Sequence, residues 1–271
     1  MAYSLAAYRD ILAGAQVRGA RFAAFAEAPG STSGSGVIYL RHDVDYSLGM
    51  AVELAEVNAA LGVAGTFFLL LRSPVYNLLS YASQPYLQRL QQLGQRLGFH
   101  VAPPLDGPVT AESMAGVVRD EFDLVARHVS GIEPVFAWHN TTPAILELGL
   151  DLDVPGLVNA YSRKLFKEIP YHTDTGMRYT VAEWRAIAGS DAPAMQLLFH
   201  PELWVGNSAT VVGALARTWP HVIREREIEF RTNRFYGARF PEGMPSEVIE
   251  RLAADVESAG KRIDEEGSAD Q

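Results

Sequence analysis

The run Val37-Ile38-Tyr39-Leu40-Arg41-His42-Asp43-Val44-Asp45 decides how the chain is read. Its first four residues are apolar, β-branched or aromatic, and four of the next five are ionisable, so it predicts a buried strand with a charged carboxyl end. Side chains alternate along a strand, which places Arg41, Asp43 and Asp45 on one face and His42 and Val44 on the other. Two carboxylates on one buried face need a cation or a proton between them. Either Arg41 supplies that charge in a buried structural network, or a divalent metal does, held by one carboxylate and two imidazoles with positions left for water and substrate.

Outward from this strand the pattern alternates. Ser47 is a candidate N-cap for a helix through Leu48, Val52, Ala55 and Ala59 that stops at Gly62, and Gly65 to Leu71 is the next buried strand. A helix from Gln84 to Leu97, a short strand ending at Phe99-His100, a helix from the Thr110 cap to Val129 and a strand Val135 to Trp138 follow. Thr180 and Glu183 have capping-box spacing ahead of Trp184 and Ile187, Met195 to Phe199 is a further strand, and a last helix runs from Ser246 to Glu257. Residues 4 to 27 carry helix-like spacing for one or two short amphipathic helices, and Gly30 to Gly36 is a Gly/Ser loop. Strands alternating with helices predict an α/β protein with a parallel sheet closed or nearly closed into a barrel. The expected organisation is a single domain over residues 1–259, with 1–29 a helical extension packed on the barrel and 260–271 a flexible acidic tail.

The 271 residues carry 23 Lys+Arg against 32 Asp+Glu, a net charge of −9, with 48% hydrophobic residues, enough for a large core. The acidic balance argues against a nucleic-acid or membrane-surface partner. No cysteine is present, which excludes disulfides, thiolate metal ligands and a cysteine nucleophile. Arg9-Asp10 interrupts the amino terminus before a secretory segment forms, and the longest apolar stretch, Gly62 to Leu71, is too short to span a bilayer. These readings predict a cytoplasmic protein with a small-molecule partner and leave the oligomeric state open.

Asp43, Asp45, His100, His139 and His200 each fall at or just beyond the carboxyl end of a predicted strand, the face on which parallel α/β proteins build active sites. Imidazole and carboxylate donors suit zinc, iron(II), cobalt or nickel alike. His42 reads as a hydrogen-bonded packing residue, and His128 and His221 as solvent-facing. Trp138 and Trp204 read equally as walls for a sugar ring or as core fillers. The loop Leu71 to Pro85, with Tyr76, Asn77 and Tyr81, and the Gly/Ser loop are candidates to border the pocket.

Taken in order, these residues resemble the motifs of the polysaccharide-deacetylase-like superfamily, the NodB-homology or carbohydrate esterase family 4 group. The resemblance covers most of residues 37–204: Arg41-His42-Asp43-Val44-Asp45, then Gly65-Thr66-Phe67-Phe68-Leu69, Gly98-Phe99-His100 and Leu198-Phe199-His200-Pro201. Two departures stand out. Val44 separates aspartates that the family usually has adjacent, and Pro104 occupies the place of the second metal histidine. His139, in Phe136-Ala137-Trp138-His139-Asn140, is the candidate replacement. A noncanonical, cytoplasmic-type branch looks more similar, and Tyr171-His172-Thr173-Asp174-Thr175-Gly176-Met177-Arg178 resembles an element of that branch.

The resemblance implies a distorted (β/α) barrel and metal-dependent hydrolysis of an N-acyl amide. The acyl group would most often be N-acetyl, on an amino sugar, sugar nucleotide or biosynthetic intermediate. Asp45, His100 and His139 would hold one divalent metal ion, zinc before iron, cobalt or nickel. Asp43 would be general base and His200 general acid. Arg41 and Asp174 would orient them, and Asn140, Trp138, Arg178 and Trp204 would stand at the substrate. The rival readings are a binding protein on a degenerate deacetylase scaffold, and a metal hydrolase of an ester or cyclic amide.

Overall fold

The structure, a computed structural model, describes residues 2–30, 36–103 and 109–269. Helix α1 (Leu5–Val17) leads to the two-residue strand β1 (Arg21–Phe22) and a 3₁₀ turn, Phe25–Gly30. The alternation then runs β2 (Val37–Val44), α2 (Leu48–Ala60), β3 (Thr66–Leu70), α3 (Gln84–Gln92), β4 (Arg96–Val101), α4 (Ala111–His128), β5 (Ile132–Trp138) and α5 (Pro143–Leu150). It continues through β6 (Val158–Asn159), a π-helical turn (Lys164–Glu168), β7 (Tyr171–Thr173), a 3₁₀ turn (Thr175–Met177), α6 (Val181–Ala188), β8 (Ala194–Phe199) and α7 (Pro201–Val205). Helices α8 (Val211–Phe230), α9 (Arg234–Arg239) and α10 (Ser246–Ala269) complete the chain.

The strands form one parallel sheet in the order β6-β5-β4-β3-β2-β8-β7, with β1 beside the first residues of β2. Strands β6 and β7 are its two edges, and side chains bring them together. The Gln196 amide on β8 donates to the carbonyls of Ala160 and Leu165 beyond β6, and the Tyr161 and Tyr171 rings lie 6.2 Å apart. The sheet is therefore a curled, distorted barrel with a gap between two short edge strands, which limits the exposed strand edge.

The central strand β2 is buried along its whole length. Its outward residues Ile38 and Leu40 pack with Leu197 and Phe199 of β8 against Tyr8, Ile11 and Leu12 of α1 and Trp184 of α6. The expected packing role of His42 is what the structure shows. Its Nε2 is 2.7 Å from the Tyr8 hydroxyl, its ring stacks on Phe67 at 4.2 Å, and burial pushes its pKa down to about 3. The Tyr8 hydroxyl donates onward to Asn58 Oδ1, and Asn58 to Gln95 Oε1, which also accepts from Gly65 N–H. This buried chain of hydrogen bonds joins α1, β2, α2 and the approach to β4. A Cβ at position 65 would stand 2.6 Å from His42 Cε1, so the strand entry there requires glycine.

Several expectations need correction. Of the one or two helices expected in residues 4–27, α1 is present, and Arg21–Phe22 joins the sheet ahead of the 3₁₀ turn. The helix expected to reach Leu97 ends at Gln92, because Gly94 at φ +71° turns the chain and lets β4 start at Arg96. The last helix continues beyond Glu257 through Ala269, since Gly260 is the one poor helix former between Glu257 and Glu266 and costs only about 1 kcal/mol. His221 is half-buried, 3.6 Å from Glu53, whereas His128 is exposed as expected. The Gly/Ser loop lies outside the described residues from Ser31 to Ser35. No helix among the described residues is long and apolar enough to cross a membrane.

Removing the central hydroxyl of the buried network by Tyr8→Phe leaves His42 and Asn58 each short of a partner. Urea unfolding should show a loss of about 1–3 kcal/mol, and an unchanged midpoint would remove the network from the fold's support. Because burial keeps His42 neutral while the unfolded chain protonates below about pH 6.5, its contribution is present above that pH and declines as pH falls towards 3. His42→Gln should flatten this limb of the stability–pH curve.

Candidate functional site

The inward face of β2 presents Arg41 and Asp43, and Asp45 follows one residue beyond the strand. Arg41 grips Asp43 through two parallel bonds, Nε to Oδ1 at 2.7 Å and Nη2 to Oδ2 at 2.6 Å. Its fully buried guanidinium lies between the rings of Phe68 and Tyr161, 5.3 and 4.4 Å from their centroids. Burial opposes ionisation of both groups, but their mutual attraction outweighs it, so the Arg41 pKa is raised and the Asp43 carboxyl sits below the usual carboxylate range. The buried Arg–Asp network read as one alternative is thus present, but it accounts for Asp43 alone.

Asp45 faces two imidazoles. Its Oδ1 is 3.4 Å from His100 Nε2 and 3.2 Å from His139 Nδ1, neither aligned as a hydrogen bond, so this oxygen is buried without a partner. Burial acts against its ionised form, yet the surrounding imidazoles hold it well below the ordinary range. His100 lies on β4 with Nδ1 2.9 Å from the carbonyl of Ala137. A carbonyl only accepts, so Nδ1 carries the proton and Nε2 turns its lone pair towards Asp45. His139 follows β5, its N–H extending the ladder to Val101 O, and Asn140 at φ +48° turns the chain away. The ring nitrogens His139 Nδ1 and His100 Nε2 stand 3.2 Å apart, and the Asn140 amide lies 2.8 Å from His139 Nε2. Asn140 Nδ2 is the atom placed against Nε2, and turning this amide over would put its oxygen there, move the imidazole proton to Nε2 and free Nδ1 for a metal.

The donor set fits a divalent metal. The three donor atoms are 3.2, 3.2 and 3.4 Å apart. Ligand bonds of about 2.0–2.1 Å in a tetrahedron give edges of about 3.3–3.4 Å. Three atoms of metal-ligand type this close, one of them a buried carboxylate oxygen without a hydrogen bond, suit a cation. Among the described residues, Asp45, His100 and His139 are the group of such side chains that converges in this way. Pro104, at the family's second histidine place, lies outside the described residues.

Across the cavity, His200 follows β8. Its Nδ1 is 2.6 Å from Asp174 Oδ1, which leaves Nε2 free on the cavity side, 3.9 Å from Asp45 Oδ2. Burial lowers the affinity of this imidazole for a proton, but Asp174, Asp45 and Glu202 outweigh it and raise its pKa well above the ordinary value. Asp174 is fully buried, and its Oδ2 accepts from His200 N–H and from Trp204 Nε1.

Asp43, Asp45, His100, Trp138, His139, Asn140 and His200 all line one cavity of about 380 Å³. Trp204 does not. It stacks on Tyr3 at 4.1 Å and holds Asp174, which resolves its two readings in favour of the core. Arg178 is exposed and also outside the lining, because Gly176 at φ +72° turns the chain after Asp174. The loop after β3 does not border the cavity either: Tyr76 is buried, donating to Val44 O, and Tyr81 is 96% exposed. In their place stand Tyr46, Thr141, Tyr161 and Glu202, none of them singled out by motif, together with Tyr171, the first residue of the Tyr171–Arg178 element. Burial pushes the Glu202 carboxyl up to about 8, opposed by His200 and assisted by Asp45. Its position just after His200-Pro201, in the first turn of a helix beginning at a strand end, was the signal available for it.

No family model and no curated protein sequence matches the chain. Solved structures do. A family 4 acetyl xylan esterase from Clostridium thermocellum, in complex with a cobalt ion, is 14% identical at a TM-score of 0.41, over 60% of this chain and 73% of that one. The chitin deacetylase of Colletotrichum lindemuthianum is 14% identical at 0.40, over 70% and 83%. A family 4 pseudoenzyme from Bacillus anthracis is 12% identical at 0.40, over 69% of this chain and 60% of that one.

Proposed function

We propose that the protein is a metal-dependent hydrolase of an N-acyl amide, acting on a small N-acetylated amino sugar or related molecule. The observation that carries this reading is the cluster of Asp45 Oδ1, His100 Nε2 and His139 Nδ1, flanked within one cavity by an ionised Asp43 and a cavity-facing His200 Nε2. A divalent ion held by these three residues would polarise the acyl carbonyl and supply water that ionises near neutral pH.

The remaining chemistry belongs to the chain. Asp43, 3.5 Å from His100 Nε2, takes the proton of the attacking water, and the Arg41 fork fixes the carboxylate plane while it does so. His200 Nε2 gives a proton to the departing nitrogen, so the product leaves as an amine. Asp174 fixes the His200 tautomer and ring plane through Nδ1, and is itself held by two further N–H donors. Trp138, Tyr161 and Tyr171 supply the aromatic walls. Six carboxyl and imidazole residues converging on one cavity favour catalysis over a binding scaffold, which gains nothing from so much buried charge.

Acetate release from N-acetylated amino sugars by zinc-, iron- or cobalt-loaded protein tests the reading. Asp43→Asn and Asp174→Asn should each lower kcat by about 10²- to 10⁴-fold, with metal content retained and KM little changed. Turnover unaffected by either substitution would contradict the assigned roles, and no acetate release from any N-acetylated compound would contradict the activity.

A further inference from the structure

Glu202 has no part in the chemistry above, yet it is the most unusual group on the cavity wall. It is 5% exposed, lies in the first turn of α7, and among the described residues no hydrogen bond or ion pair joins its carboxyl to another side chain. A buried carboxyl with open acceptor positions is costly unless something outside the chain supplies donors. The Glu202 carboxyl also shares its cavity with Asp43, Asp45 and His200, and no Lys or Arg is among the described residues that line it. Arg41 is fully buried and committed to Asp43.

Resting on the hydrolase reading, we infer that Glu202 is the residue that reads the substrate. It forms a hydrogen bond with a hydroxyl or amine beside the scissile amide. Further donors and acceptors suited to a polyhydroxylated or amino compound come from Asn140, Thr141, Thr175 and the tyrosines of the lining.

Titration of the zinc-loaded protein with N-acetylglucosamine, N-acetylethylenediamine and acetamide, followed by calorimetry or NMR, tests the inference without requiring turnover. The sugar or the acetylated diamine should bind at least about tenfold more tightly than acetamide, and the better of the two identifies the group that meets Glu202 as hydroxyl or amine. Glu202→Ala should weaken that ligand by about 10- to 100-fold and leave acetamide unchanged. Glu202→Gln, which keeps the shape and one acceptor, should fall between. Equal losses for acetamide and the larger ligand, or undiminished binding in Glu202→Ala, would each overturn the inference. Selective binding without acetate release would count against the hydrolase reading alone, and acetate release with unselective binding against Glu202 alone.

Discussion

The structure depends on how the charge at the end of β2 is neutralised. Asp43 and Asp45 face the same way because a strand repeats every second residue, and the strand is buried throughout. Arg41, on that same face, reaches one of them and only one: its fork closes on Asp43, and its side chain is walled in by Phe68 and Tyr161. The second carboxylate is left to His100 and His139, whose ring nitrogens stand 3.4 and 3.2 Å from its Oδ1. A carboxylate paired with arginine and another facing two imidazoles, two residues apart, follow from one arginine having room for one aspartate.

The scaffold around this point is arranged to hold it still. Outside the barrel, Tyr8, His42, Asn58 and Gln95 tie α1 and α2 to the back of the strand that carries the aspartates. On the far side, Asp174 accepts three N–H donors, so the orientation of His200 is set through Trp204 and its stacking on Tyr3. The start of α2, directly after Asp45, is capped twice, by Ser47 and by the Glu225 carboxylate from α8. Residues distant in sequence thus act on the site by fixing the strand ends that display it.

Much of this was legible in the sequence because it obeys short periods. The alternation in Val37 to Asp45 gave the inward face, Ser47, Thr110 and Thr180 gave helix starts that the structure keeps, and strand-end histidines gave the cavity. Strands β6 and β7 were not legible, being two and three residues long, held by pairing with neighbours and not by any pattern of their own. Trp204 and Arg178 were misplaced because adjacency to a site residue in sequence does not say which side of a turn a side chain takes. Glu202, Tyr161 and Tyr171 were missed because their place on the wall depends on how far the sheet curls, which Gln196 and the gap between the edge strands determine.

The central claim is that Asp45, His100 and His139 form a metal site in which His139 is a true ligand. Titration of chelator-stripped protein with zinc, with bound metal counted by elemental analysis, tests it most directly. The account predicts one ion per chain, with affinity reduced by about 10- to 100-fold or more when His139 is replaced by alanine and an unchanged urea midpoint for that metal-free variant. No stoichiometric binding by the wild-type chain, or full occupancy with undiminished affinity in His139→Ala, would contradict it.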